Sequence, residues 1–238
     1  SVTLVEAAPL PLHRVLGDEL AQVFADLHAE NGVDLRLGTG VGKITGDGGR
    51  VGSVTLDDGT SVPADAVVVG VGITPAVELA EAAGLAVDNG VVTDAALRTS
   101  DLDIYAAGDV ANAFNPLLGR HVRVEHWANA LNGGPAAARS MLGQEVVFDP
   151  VPYFFSDQYD LGMEYSGYAE PGGYDQVVFR GDVPGREFIA FWLADGRVVA
   201  GMNVNVWDVT DDVQRLVHTG SPVDPDRMAD PAVALADV

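Results

Sequence analysis

IYAAGDVA, residues 104–111, is the stretch on which the fold turns. A short apolar run ends at Gly108, and an acid, Asp109, stands where the run stops. The pattern predicts a short strand ending at Gly108 and a helix beginning at Asp109. Glycine at such a junction permits backbone angles that other residues avoid. Asp109 is placed to cap the helix or to accept a hydrogen bond from a ligand hydroxyl. The unpaired N–H groups of a helix start also favour an anion. The preceding Thr-Ser-Asp-Leu-Asp, 99–103, sets the pair at the end of a strand rather than in an arbitrary loop.

Working outward, VEHWANALNGGPAAARSM (124–141) predicts a second helix that starts near His126 and Trp127 and runs to about Leu142. Its first amides, at Trp127 and Ala128, are candidates to face the same cavity. The plainer reading is a packing helix with a buried Trp127. Pro135 either kinks this helix or marks its true first turn. Upstream, VVVGVGITP (67–75) predicts a buried strand, Ala66 to Val69, that runs into Gly70, Val71 and Gly72. Glycines there let a flat ring come close to the backbone, or they serve a tight interdomain turn.

The chain's first stretch, VTLVEAAPLPLHRV (2–15), reads as strand, acid and turn. That is the second strand of a dinucleotide-binding unit, where the acid, here Glu6, reaches a ribose. Arg14 is a candidate to lie along adenine or pyrophosphate. A solvated glutamate at a strand end is the alternative. An amphipathic helix is expected from Leu16 to Asn31, since Leu16, Leu20, Val23, Phe24 and Leu27 share a face. GTGVGKIT (38–45) is a turn between strands, because Ile44 stands where a phosphate loop requires Ser or Thr. Hairpin turns follow at 47–49 and 57–59. From Phe148 the texture becomes aromatic and alternating, with a hairpin turn at Asp195-Gly196 and a last helix from Thr210 to His218.

Composition narrows the functions available. The 238 residues are 47% hydrophobic and 20% charged, the balance of a globular protein. Net charge is −22, from 35 acids against 13 bases, so nucleic acid is not an expected partner. No apolar run reaches the roughly 20 residues of a membrane span. There is no cysteine, hence no disulfide framework, which fits a cytoplasmic location. The five histidines lack metal-ligand spacing, so no metal site is expected, and no nucleophile elbow appears.

Taken in order, VTLVEAAPLPLHRV, TSDLDIYAAGDVA, VEHWANA and YFFSDQYDLGMEYSGY resemble the FAD-dependent ferredoxin reductases that feed bacterial oxygenases and cytochromes P450. The resemblance runs the whole length. It implies an α/β chain: a partial flavoprotein fold of two dinucleotide-binding domains, followed by an α+β C-terminal reductase domain. On that layout residues 1–73 are the remainder of an NAD-binding domain, 74–147 the second half of an FAD-binding domain, and 148–238 the reductase domain. The chain is then expected to be the C-terminal part of a protein with about 160 further residues upstream.

The implied cofactors are FAD and NAD, and the implied partners are NADH and an iron–sulfur ferredoxin. Glu6 and Arg14 would bind NAD, and Gly70, Val71 and Gly72 would border its nicotinamide. Gly108, Asp109, His126, Trp127 and Ala128 would hold the flavin, and Phe154 or Phe155 would close over it. No side chain need act as acid or base, so no catalytic residue is expected. Docking of an acidic ferredoxin would need a local basic patch, for which Arg98, Arg120, Arg123 and Arg139 are the candidates. The chain alone is expected to be inactive, with its open strands prone to pair with a second copy. Two departures stand out: Phe155 replaces the tryptophan of FWSDQ, and Gly133 stands where a Gln is frequent. The alternatives are a flavin-dependent NADH oxidase, a disulfide or nitrite reductase component, or a non-catalytic flavoprotein or binding module.

Overall fold

The computed structural model describes residues 1–238, which form two compact units, Ser1–Gly72 and Ile73–Val238. The first unit opens with strand β1 (Thr3–Glu6), helix α1 (His13–Glu30) and strand β2 (Asp34–Leu37). β1 and β2 pair in parallel with Glu6 opposite Leu37, so both C-terminal ends lie side by side. α1 starts three residues before the expected Leu16. It is broken at Gly17 (φ 77°, ψ −179°), a conformation open to glycine. Its apolar face, Leu16, Leu20, Ala21, Phe24, Ala25 and Leu27, is buried, as a 3.6-residue period requires.

Strands β3 (Val41–Asp47), β4 (Arg50–Leu56) and β5 (Ser61–Pro63) form an antiparallel sheet. Gly48 and Gly49 make the β3–β4 turn with φ of 58° and 79°, the pair of left-handed residues that a two-residue hairpin needs. The turn expected over 38–45 is confined to residues 38–40; Val41 to Thr45, Ile44 among them, belong to β3, since they pair with β4. The expected strand Ala66 to Val69 does not form. The segment is unpaired, and Val68 is 96% exposed. A parallel strand is made by its ladder partners, and residues 66–69 pair with no strand of this unit.

The second unit begins with a short helix, α2 (Glu78–Ala82), and strand β6 (Val91–Thr93). Strands β7 (Ala111–Asn115) and β8 (Arg120–Arg123) follow, in the order β6-β7-β8, parallel then antiparallel. IYAAGDVA departs from expectation. Residues 104–107 make only a bridge, Tyr105 to Arg98. Gly108–Val110 is a single 3-10 turn, and the chain then enters β7 rather than a helix. Pairing of Ala111–Ala113 with β6, and of Asn112–Asn115 with β8, claims the residues a helix would have needed.

Helix α3 (Trp127–Met141) starts and ends close to where periodicity placed it, with Pro135 inside it. The C-terminal part is a five-stranded antiparallel sheet of order β11-β12-β13-β10-β9. It is built from β9 (Tyr153–Gln158), β10 (Leu161–Gly167), β11 (Gln176–Asp182), β12 (Glu187–Ala194) and β13 (Arg197–Val204). Helices α4 (Thr210–Thr219) and α5 (Pro225–Ala229) complete it. Ile189, Phe191, Leu193 and Val198 meet Val213, Leu216, Val217 and Met228 in one core. Gly201 lets α4 approach, since a Cβ there would lie 2.6 Å from Val213 Cγ1. Asp195-Gly196 makes the β12–β13 turn, as expected. No helix is long and apolar enough to cross a membrane.

One carboxylate ties this domain together. Glu164 on β10 accepts hydrogen bonds from the Tyr153 hydroxyl (2.7 Å), Asn203 Nδ2 (3.0 Å) and the Thr210 hydroxyl (2.8 Å). Three strands and the first residue of α4 thus meet at one group. Burial pushes the Glu164 carboxyl up, but the three hydrogen bonds outweigh it and hold its pKa below the ordinary value. Burial, and then the Glu164 bond, raise Tyr153 to about 12. A carboxyl lowered by folding adds stability above its ordinary pKa and loses it as pH falls through the folded value. Urea unfolding should therefore show stability dropping as pH falls below the ordinary 4.5. Glu164→Gln should cost about 1–2 kcal/mol at pH 7 and flatten that acid limb.

Candidate functional site

In the first unit the acid at the end of β1 is held in place. Glu6 Oε1 accepts from the Ala8 amide at 2.7 Å, and the Glu6 carbonyl accepts from the Thr39 amide at 3.3 Å. The Ala8 carbonyl in turn accepts from the Gly38 amide at 3.0 Å. The carboxylate is thus fixed at the crevice beyond the strand ends, where open parallel sheets bind ligands. Arg14 lies in the first turn of α1, exposed. At the end of β2, Arg36, Gly38, Thr39 and Gly40, with Asp57 and Asp58, line an open cleft of about 520 Å³ that sequence reasoning did not single out. Gly70, Val71 and Gly72 are exposed and unpaired, with Val71 90% exposed.

In the second unit the structure brings the Gly108 turn and the start of α3 together. Gly108 has φ 76°, and a Cβ there would sit 3.6 Å from Ala130 Cβ. A Cβ on Gly133 would sit 3.6 Å from the Gly108 nitrogen and 3.7 Å from Ala107 Cβ. Asp109 is exposed and caps nothing: the residue before its turn is Ala107, without a side-chain cap. The expected cap is therefore corrected, because only one turn of helix follows. His126 precedes α3 in an extended conformation, and no side chain caps that helix either. The first amides of α3 are thus free of protein side-chain acceptors, as an anion-facing helix start requires. Trp127, expected buried on the plainer reading, is 69% exposed.

The His126 ring leans on Phe154 (centroids 4.8 Å apart, 50°), and Phe154 stacks on Tyr165 (4.8 Å, 24°). Burial pushes the His126 pKa down, against the pull of Glu125 and Asp109, so the ring is held neutral near pH 7. Its buried Nδ1 has no hydrogen-bond partner in the chain. Phe154 is committed to packing. Phe155, opposite Glu164 on the other face of β9, is 54% exposed. Of the two, Phe155 is the exposed one. Ala128 lines a cleft of about 240 Å³ together with Asn129, Asn132 and Tyr153.

The expected basic patch does not survive. Arg123 is inside, its side chain 10% exposed and bound to Glu125. Arg120 is paired with Glu170 and lies over the Tyr168 ring. Arg98 lies over the Tyr105 ring. Arg139 is the one of the four that is exposed and whose side chain makes no ion pair or ring contact. Sequence reasoning did not assign Glu125 or the internal role of Arg123. Their spacing, Arg-x-Glu just before an expected helix start, was the signal available.

The comparisons agree with this architecture. The pyridine nucleotide-disulphide oxidoreductase family matches residues 1–134, and the reductase C-terminal family matches residues 153–238. This chain belongs to the pyridine nucleotide-disulphide oxidoreductases, with a reductase C-terminal domain behind. It is 41% identical over 236 residues to the ferredoxin–NAD(+) reductase component of an anthranilate 1,2-dioxygenase system from Burkholderia cepacia. That match covers 99% of this chain and 57% of the relative. It is 37% identical to putidaredoxin reductase from Pseudomonas putida, covering 100% of this chain and 56% of that protein.

Among solved structures, the ferredoxin reductase for the CYP199A2 system from Rhodopseudomonas palustris superposes with a TM-score of 0.93 at 36% identity. That match covers 100% of this chain and 59% of the other. The covalent putidaredoxin reductase–putidaredoxin complex gives 0.91 at 37%, covering 99% and 56%. The chain spans a little over half the length of these relatives.

Gly133 tests the packing of the site. A Cβ there would make only ordinary contacts, at 3.6–3.7 Å, in the interior of α3. Glycine costs about 1 kcal/mol relative to alanine in a helix interior. Gly133→Ala should therefore raise stability by about 0.5–1 kcal/mol in urea unfolding.

Proposed function

We propose that this protein, in a chain of its relatives' length, passes electrons from NADH through FAD to an iron–sulfur ferredoxin that serves an oxygenase or a cytochrome P450. The observation that carries this reading is the uncapped start of α3 set beside the Gly108–Asp109 turn. It offers backbone amides and a carboxylate to one ligand, which suits a flavin whose ring takes up negative charge while its side chain carries hydroxyls. The names of the relatives support it: they are ferredoxin reductases of dioxygenase systems and putidaredoxin reductase. On this reading residues 1–73 belong to an NAD domain, 74–147 to the FAD domain and 148–238 to the reductase domain.

The flavin, when bound, supplies the chemistry, accepting two electrons from NADH and releasing them singly. The chain's own residues bind and orient. Asp109 accepts hydrogen bonds from the ribityl chain. The Trp127 and Ala128 amides would hold the flavin's pyrimidine edge, with the His126 ring beside them. Phe155 covers the site while Phe154 braces His126. Glu6 accepts from the NAD ribose hydroxyls with the oxygen that Ala8 leaves free, and Arg14 lies along the dinucleotide. Gly70, Val71 and Gly72 present bare backbone to the nicotinamide. No residue is assigned a proton transfer.

Glu6 should set cofactor choice, since a 2′-phosphate would meet a carboxylate. At a half-exposed position screening limits the like-charge cost, so NADH should exceed NADPH by about tenfold in kcat/KM. Steady-state kinetics of the relatives-length enzyme checks this, and Glu6→Gln should narrow the gap. Equal values for both cofactors in the unmodified enzyme would remove Glu6 from the ribose site.

A further inference from the structure

We propose that Arg123 is the positioning residue that aims Asp109 at its ligand. Its side chain is 10% exposed, and it engages three separate segments. One terminal nitrogen donates to the Asp109 carbonyl at 3.2 Å. The other lies 2.5 Å from Glu125 Oε1, at the entry to α3. Nε donates to Asn89 Oδ1 at 3.3 Å.

The chain is shaped to receive this group. Asn89 and Gly90 both have positive φ, 46° and 130°. A Cβ on Gly90 would lie 2.9 Å from Arg123 Cδ and 2.7 Å from the Val110 carbonyl. Only glycine leaves room for the arginine stem and the end of the 3-10 turn together. A planar fork with five donors is suited to reach three acceptors at fixed angles, whereas an ammonium acts as a point charge on a flexible stem.

The consequence follows from the shape of the Asp109 turn. It is a single 3-10 turn without a side-chain cap, so it has little intrinsic persistence. Arg123 holds its carbonyl, while the Asp109 side chain stays exposed. The same guanidinium fixes Glu125, one residue before His126. Arg123 therefore acts on the ligand through Asp109 and touches no ligand itself.

This inference rests on the assignment of Asp109 to the flavin. The test measures FAD affinity by recovery of flavin fluorescence on dissociation, in the relatives-length protein, together with thermal unfolding. Four variants are compared: Asp109→Ala, Arg123→Met, Arg123→Lys and the double variant Asp109→Ala/Arg123→Met. Arg123→Met should weaken FAD by about tenfold, the loss of one hydrogen bond to a charged group. Arg123→Lys should fall between, keeping the charge but not the fork. The double variant should bind FAD no more than about twofold more weakly than Asp109→Ala, because coupled residues are not additive.

A merely structural Arg123 would lower the unfolding temperature while its effect on FAD multiplied with that of Asp109→Ala. That result, or unchanged affinity in Arg123→Met, overturns the proposal and leaves the flavin assignment standing. If Arg123→Met does not fold, Arg123→Lys and its double with Asp109→Ala decide by the same criterion. Unchanged affinity in Asp109→Ala removes the flavin assignment and the proposal with it.

Discussion

Helix α3 lies against the Gly108 turn through small residues, with the Phe148 ring beside Gly133. Ala107, Gly108, Ala130 and Gly133 are the residues involved, and added Cβ atoms at the two glycines would already be in van der Waals contact. That close approach places the start of α3 beside Asp109. Further along, the helix buries Ala136 and Ala137 against Leu97, with Ala107, Ala113, Val146 and Phe148 around them. A core made largely of alanines contributes little transfer free energy per residue. The placement of the helix therefore depends on fit as much as on burial. A larger side chain at Gly108 would also need a φ of 76°, which L-residues seldom adopt.

Much of this was legible in the sequence because it was written in periodicity and turn chemistry. The amphipathic face of α1, the hairpins at Gly48-Gly49 and Asp195-Gly196, and the extent of α3 follow from local rules that the tertiary structure does not override. What escaped was decided elsewhere in the chain. Ala66 to Val69 has the composition of a buried strand, but composition records a tendency to be covered, not the edge that does the covering. Asp109 looked like a helix cap because Gly-Asp before small residues fits one. Pairing of β7 with both β6 and β8 outbid that local preference. Arg123 could not be recognised as a strut, since its partners come from residues 89, 109 and 125; Asn89-Gly90 announces a left-handed turn but not the arginine packed against it.

The arginines show how a chain of net charge −22 uses its few cations. Several are spent on backbone carbonyls. Arg180 donates to the carbonyls of Met228, Asp230, Pro231 and Val233, and Arg215 and Arg227 donate to those of Leu235 and Asp237. These bonds tie the C-terminal segment to β11, α4 and α5, and Met228 of α5 and Leu235 beyond it join the core. A fork of donors suits irregular segments, whose carbonyls have no ladder to satisfy them. The same economy explains why the expected basic patch dissolved: Arg123 was already occupied in the interior, and Arg120 was matched to Glu170.

The Phe154-Phe155 pair separates structure from ligand contact by strand geometry alone. Successive side chains of β9 point to opposite faces. Phe154 joins the stack of Tyr165 and the buried Trp192, and through His126 it braces the entry to α3. Phe155 has no such duty and stays half exposed beside the Glu164 position. The departure from the tryptophan of the resembling motif falls on this free position and not on the packed one. A change of ring at Phe155 disturbs no core contact, so its identity is open to selection by whatever lies over it. At Phe154 the stack on Tyr165 fixes the shape, and a larger ring would have to displace His126 from the start of α3.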